Sequence, residues 1–280
     1  MKGGKWWDES WNPVTGCTAC SEGCAHCYAK RWHERMMHST SFERVELHPD
    51  RLEKVERAKP KLWFVDSMSD LFHEDVPFVF IHKVFNVIHK NPLHTFVILT
   101  KRPSRMLEYY SLLAFAPGNV WMGVSAENQA RADERIPLLL RAPVQHRFVC
   151  VGPMLGAVDL EPYLQHPPFH EDYKFTWGAS EFTGIEGVIC EGESGPLGRV
   201  MDPDWVRALR DQCVDAEVPF FFKQWGTWAP DDMDGVMVHQ NLHHSKRVLD
   251  GREWNELPWG KKAPVSVNEP RQLALEEVKG

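Results

Sequence analysis

Six short apolar runs, each halted by a polar or glycine-containing cluster, set the tightest limit on what this chain can fold into. They occupy residues 61–65, 95–99, 120–124, 147–151, 187–190 and 219–222. Val, Ile, Phe and Trp dominate them, as they do in strands buried on both faces. The clusters that follow begin at Asp66, Thr100, Ser125, Gly152, Glu191 and Lys223. Polar groups gathered where parallel strands end are where α/β barrels and doubly wound sheets place their chemistry.

Helical spacing fills several of the gaps. Phe78, Ile81, Val84, Phe85 and Ile88 recur at i, i+3 and i+4 after Pro77, and Asn128 precedes a helix expected over 129–135. Asp202-Pro203 ahead of Trp205, Val206 and Leu209 reads as an N-cap with proline in the first turn. Run starts lie about 24 to 40 residues apart, which suits βα units of roughly 30 residues. The pattern predicts an α/β chain with a parallel sheet, a partial (β/α) barrel of about six to seven βα units. An open Rossmann sheet fits less well, since no Gly-x-Gly-x-x-Gly follows any run. The barrel is expected over residues 1–226, with an insertion over its mouth near 162–184 where Pro, His, Phe and Trp follow no period. Residues 227–280 read as a loop-rich C-terminal extension packed on the barrel.

With 280 residues, 43% hydrophobic and 25% charged, the chain has the material for a sizeable core, which excludes a disulfide miniprotein, a fibre and a disordered segment. No stretch approaches the roughly 18 apolar residues of a membrane span. Residues 1–8 carry two lysines and no apolar core, so no secretory signal is expected and the protein is placed in the cytoplasm with its cysteines reduced. A net charge of −7 argues against a generally basic nucleic-acid surface, though not against a local basic groove. Twelve tryptophans stand against five tyrosines, many beside Pro, Gly or charge, and some are expected to line a cleft.

Four of the seven cysteines, Cys17, Cys20, Cys24 and Cys27, fall within eleven residues. Reduced thiolates this close together point to a metal or an iron–sulfur cluster. Structural zinc usually takes two ligand pairs a dozen or more residues apart, whereas three residues part Cys20 from Cys24. A closed four-cysteine cluster suits the density but belongs to small electron carriers. Cys20-x3-Cys24-x2-Cys27 is similar in spacing to radical S-adenosylmethionine (SAM) enzymes. In those, three thiolates on a 4Fe-4S cluster leave one iron open to the amino and carboxylate groups of SAM. Reductive cleavage then yields methionine and a 5′-deoxyadenosyl radical. His26 holds the position that commonly packs on the adenine, or else donates to a cluster sulfide or lies on the surface.

The stretch from Trp11 to Cys17, running into Gly23, Cys24, His26, Cys27 and Tyr28, resembles the opening of a phage-derived three-Cys-motif family that is radical-SAM-like and of unassigned function. The resemblance continues through Asp66 to His73, Leu99 to Pro103, Gly123 to Asn128, Gly192 to Gly195 and Phe222 to Gly226. It implies Cys17, Cys24 and Cys27 as the metal ligands, whereas the shorter spacing offers Cys20 in place of Cys17. Cys17 is preferred, with Cys20 a spare or substitute ligand. A three-Cys-motif partner protein is implied by the resemblance alone.

On such a barrel, SAM lies across the strand ends, and the candidate cofactor-binding residues are His26, Tyr28, Asp66, Ser67, Lys101, Ser125, Glu127, Asn128, Glu191 and Glu193. Lys101 and Arg102 are candidates for the SAM carboxylate or a substrate phosphate, or are solvated charges. Asp70 and Asn128 have the alternative role of helix caps. Lys223, after three phenylalanines, and Glu193 are the candidate catalytic groups, because an unpaired ammonium is costly to bury in a core. Cys150, Cys190 and Cys213 read as small core residues. His243, His244, Lys246, Arg247 and Arg252 among Trp254 and Trp259 read as a solvated loop in preference to a nucleic-acid contact. The expected function is a radical-SAM-like enzyme drawing on an external electron donor and acting on an unidentified substrate, with a nucleotide or nucleic-acid base as first choice. The alternative is a non-enzymatic zinc or closed-cluster module that binds nucleic acid or a protein partner.

Overall fold

The computed structural model describes residues 5–36, 40–112, 117–164, 184–231, 235–240 and 247–260. In chain order its elements are β1 (Glu9–Trp11), β2 (Val14–Thr15), α1 (Tyr28–Met36), β3 (Glu46–Leu47), α2 (Glu53–Glu56), β4 (Leu62–Val65) and α3 (Phe78–Lys90). There follow β5 (Thr95–Thr100), α4 (Pro103–Ser111), β6 (Val120–Ser125), α5 (Gln129–Arg141), β7 (His146–Val151), α6 (Glu161–Leu164), β8 (Val188–Glu191), α7 (Pro203–Asp215) and β9 (Phe220–Gln224). Seven strands, β1-β4-β5-β6-β7-β8-β9, form one parallel sheet curled into a half-barrel. Each of the six apolar runs supplies one strand, and the seventh is the short β1 beside β4.

Side chains alternate across a strand, and here both faces are apolar, which explains the unbroken runs. The outer set, Trp63, Val65, Phe96, Ile98, Met122, Val149 and Phe222 among others, packs against α3, α4, α5 and α7. The inner set, Phe64, Val97, Trp121, Phe148, Ile189 and Phe221, meets Trp6 instead of a helix. Gly123 belongs to this inner face, where a Cβ would stand 2.4 Å from the Phe148 ring. Helix α5 is longer than the expected 129–135 and runs through Pro137, because Ile136 and Leu139 keep its buried face on the sheet.

The C-terminal extension is more regular than its composition suggests. Strands β10 (Trp228–Pro230) and β11 (Met237–His239) pair antiparallel, as do β12 (Val248–Leu249) and β13 (Arg252–Glu253). Asp250 and Gly251 join the last two at φ values of 51° and 80°, the positive pair that a type I′ hairpin turn requires. Phe222 N donates to the Trp254 carbonyl at 3.0 Å, and the Trp259 ring lies 5.3 Å from Phe148 and 5.5 Å from Trp6. Trp259 therefore covers the apolar end of the inner face. Most of the expected insertion, together with His243, His244, Lys246 and the tail beyond 260, lies outside the described residues. Among the described residues no helix is long and apolar enough to cross a membrane.

Candidate active site

The alternation that lays apolar rings along the inner face also aims polar groups at its upper rim. Two residues beyond Phe64 comes Asp66; beyond Val97 come Leu99 and Lys101; beyond Trp121 come Gly123 and Ser125; beyond Ile189 comes Glu191; beyond Phe221 comes Lys223. Asp66, Leu99, Lys101, Ser125, Glu191 and Lys223 all line one cleft at the carboxyl ends of the parallel strands. Trp6, Trp7 and Phe64 lie in its apolar part, and the cleft opens to solvent at its mouth.

The opposite wall is the cysteine segment. Gly16 turns the chain at φ 85°, a conformation that favours glycine, and a Cβ there would lie 2.1 Å from the Arg44 carbonyl oxygen. Cys17, Cys24 and Cys27 then line the cleft with His26 and Tyr28, the last opening α1. The Tyr28 ring is half-exposed, yet its hydroxyl donates to the Ser67 carbonyl and ties α1 to the loop after β4. Cys20 is exposed and lies outside the cleft lining.

Charge in the site is closely matched. The Cys24 thiol is held down to about 4, chiefly by a hydrogen bond from Cys20; burial opposes this, while the positive charge of Lys101 assists. Burial pushes the Cys17 thiol up to about 12, the Asp70 charge adds to it, and Arg102 pulls the other way. Lys101 Nζ lies 3.0 Å from Ser125 Oγ and 3.6 Å from Glu127 Oε1. Burial disfavours its charge, but Glu127 and Cys24 outweigh burial and raise its pKa. Lys223 pairs with Glu191 on the wall beside Trp7. Glu193 lies against Arg199, with Nη2–Oε1 at 2.6 Å and Nε–Oε2 at 2.8 Å, and this outweighs burial to hold its carboxyl below the usual range.

Asp66 stands apart. It is buried, adopts φ 54°, and accepts from Val14 N through Oδ1 at 2.9 Å, but its Oδ2 has no hydrogen-bond partner. Burial, aided by the Asp70 charge, raises its pKa well above the ordinary carboxyl value. Among the described residues no three His, Cys, Asp or Glu side chains are gathered as a single metal ion requires.

Over residues 3–258 the chain matches the model of a family described as Protein of unknown function (DUF5131). The chain belongs to this family. No curated protein matches the sequence. Solved structures of spore photoproduct lyase are distantly similar. A cysteine-to-serine mutant of that enzyme shares 11% identity, with 84% of this chain and 69% of that one covered, at a TM-score of 0.40. The lyase complexed with dinucleoside spore photoproduct shares 13% identity, with coverage of 71% and 58% and a TM-score of 0.37.

In this DUF5131 chain, ten of the residues singled out from sequence meet at the cleft: Cys17, Cys24, Cys27, His26, Asp66, Ser67, Lys101, Ser125, Glu191 and Lys223. Tyr28 and Glu193 line it as well. Three are placed elsewhere. Besides Cys20, Glu127 is fully buried beneath the cysteine segment against Arg135 at 2.9 Å, and Asn128 caps α5 by accepting from Arg131 N at 3.1 Å. Neither is free to hold a ribose. Asp70 is no cap for α3, which starts at Phe78; it binds the end of β5 through Thr100 Oγ1 at 2.7 Å and Lys101 N at 3.0 Å. Trp6 and Trp7 are among the tryptophans expected to line a cleft, whereas Arg199 escaped the sequence reading, because it reaches Glu193 across a loop without period.

Proposed function

We propose that this protein is a radical SAM enzyme, with a 4Fe-4S cluster on Cys17, Cys24 and Cys27 and SAM in the adjoining cleft. The observation that carries this reading is the meeting of those three thiols with Asp66, a buried carboxyl with one unpartnered oxygen, in one cleft at the strand ends. Leaving a buried polar oxygen without a partner costs about 1–3 kcal/mol, a loss that the ammonium of an amino-acid ligand would relieve. Three soft thiols on one wall of the cleft suit iron–sulfur ligation. When bound, this pair supplies one-electron cleavage of SAM and a 5′-deoxyadenosyl radical able to abstract hydrogen.

The chain's own groups prepare the site. Lys101 offsets thiolate charge at Cys24, and Asp66 and Ser67 line the cleft where the amino-acid end of the ligand would lie. Trp6, Trp7 and Phe64 exclude water, while Tyr28 straps α1 to the Ser67 carbonyl at the cleft wall. Lys223 and Glu191 hold a donor and an acceptor beside the Trp7 indole, an arrangement suited to the edge and face of a nucleotide or nucleic-acid base. An external electron donor and a three-Cys-motif partner protein complete the expected set of partners.

The test is anaerobic reconstitution with iron and sulfide, followed by chromatography for 5′-deoxyadenosine after adding dithionite and SAM. Wild type and Cys20→Ala should form it, whereas Cys17→Ala, Cys24→Ala and Cys27→Ala should not. Zinc in place of iron, or a cluster that yields no product, overturns the reading.

A further inference from the structure

Arg102 has no donor left for a ligand. Its side chain is 6% exposed, and Nε donates to Glu74 Oε1 at 3.1 Å and Oε2 at 2.9 Å. Nη2 donates to the Thr18 carbonyl at 2.9 Å and Thr18 Oγ1 at 3.1 Å. Nη1 reaches Cys17 Sγ at 3.5 Å and Asp70 Oδ2 at 3.4 Å. A guanidinium carries five N–H donors, and these contacts engage all three nitrogens. The sequence-based expectation that Arg102 binds a carboxylate or phosphate of SAM or substrate therefore fails. What its position does achieve is to set a buried positive charge and an N–H donor against one thiol of the cysteine segment.

We propose that Arg102 is a positioning residue that raises the reduction potential of the cluster through Cys17, and that Glu74 moderates this from the surface. The proposal rests on the cluster reading above. Hydrogen bonds to ligating sulfurs and nearby charge set iron–sulfur potentials. One-electron reduction, with dithionite as donor and no bond made or broken in the protein, adds a negative charge beside the guanidinium and is thereby favoured. Glu74, whose side chain is 64% exposed, places a carboxylate on the far side of the same guanidinium and partly cancels its field. The two residues thus act with opposite sign on one quantity.

The test is an anaerobic redox titration of the reconstituted protein without SAM, followed by EPR of the reduced cluster. Arg102→Met should shift the potential negative, Arg102→Lys should restore part of the shift, and Glu74→Gln should shift it positive. Opposite shifts at Arg102 and Glu74 are not what loosened folding produces. If Arg102→Met fails to hold a cluster, Glu74→Gln decides alone, since Glu74 lies on the surface. A wild-type cluster that responds to SAM but whose potential ignores Glu74→Gln, or falls with it, overturns this proposal only. A wild-type protein that takes up no iron cluster overturns the parent reading and this proposal together.

Discussion

Ser21 Oγ donates to Glu127 Oε1 at 2.6 Å across 106 positions of sequence, so the end of β6 directly holds the cysteine segment in place. The other Glu127 oxygen accepts from Arg135, whose side chain is 1% exposed. Glu127→Gln removes the charge and leaves a guanidinium buried without its counter-ion, a change that typically costs about 3–5 kcal/mol. Urea unfolding should show that loss, and the variant should retain less iron after reconstitution than wild type.

Asp66 should make stability fall as pH rises. Burial raises its folded pKa well above the ordinary value, so the unfolded chain gives up the proton first, near pH 3.9. The stability linked to the protonated carboxyl is complete below that pH and is lost as pH climbs towards the folded pKa. Asp66→Asn cannot ionise, and Asn tolerates the positive φ. The difference in urea midpoint between Asp66→Asn and wild type should therefore widen in the variant's favour above about pH 4. In SAM binding the same variant should be weaker than wild type.

Asn128 serves as a cap. Asn128→Ala should cost about 1 kcal/mol of stability through the lost N-cap, measured by denaturant unfolding. SAM affinity, measured by equilibrium dialysis on the reconstituted protein, should not change. A large loss of affinity at full folding would return Asn128 to the ligand site.

Trp259 closes the inner face of the half-barrel from a segment that reads as a loop. Its ring packs on Trp6, Trp121 and Phe148. Trp259→Ala should lower stability by about 3 kcal/mol, the lower end of what such truncations cost, because the ring is only partly buried. Ending the chain at residue 226 should give an unfolded product by circular dichroism, since Phe222 N would also lose the Trp254 carbonyl.

The barrel was readable because a half-barrel with helices on one face and aromatic rings on the other needs strands apolar throughout, and six runs such as 95–99 and 219–222 are of that kind. The polar clusters that halt those runs marked Asp66, Lys101, Ser125, Glu191 and Lys223, which line the rim. Membership of a cluster does not fix direction, and Glu127 and Asn128, past the end of β6, turn to Arg135 and to the first turn of α5 instead. The extension hid its hairpins because two-residue strands carry too little pattern, although Asp250-Gly251 was a turn signal in plain sight. Arg102 was misassigned because a sequence shows charge and not the neighbours, Glu74, Thr18 and Cys17, that consume it.

The central claim is that the three-thiol cluster and SAM share one cleft, and EPR of the anaerobically reduced, reconstituted protein with and without SAM tests it most directly. The account predicts a reduced 4Fe-4S signal that changes when SAM is added, a change that survives Cys20→Ala and disappears in Cys17→Ala. A signal indifferent to SAM in wild type, or one that needs Cys20 and not Cys17, would contradict it.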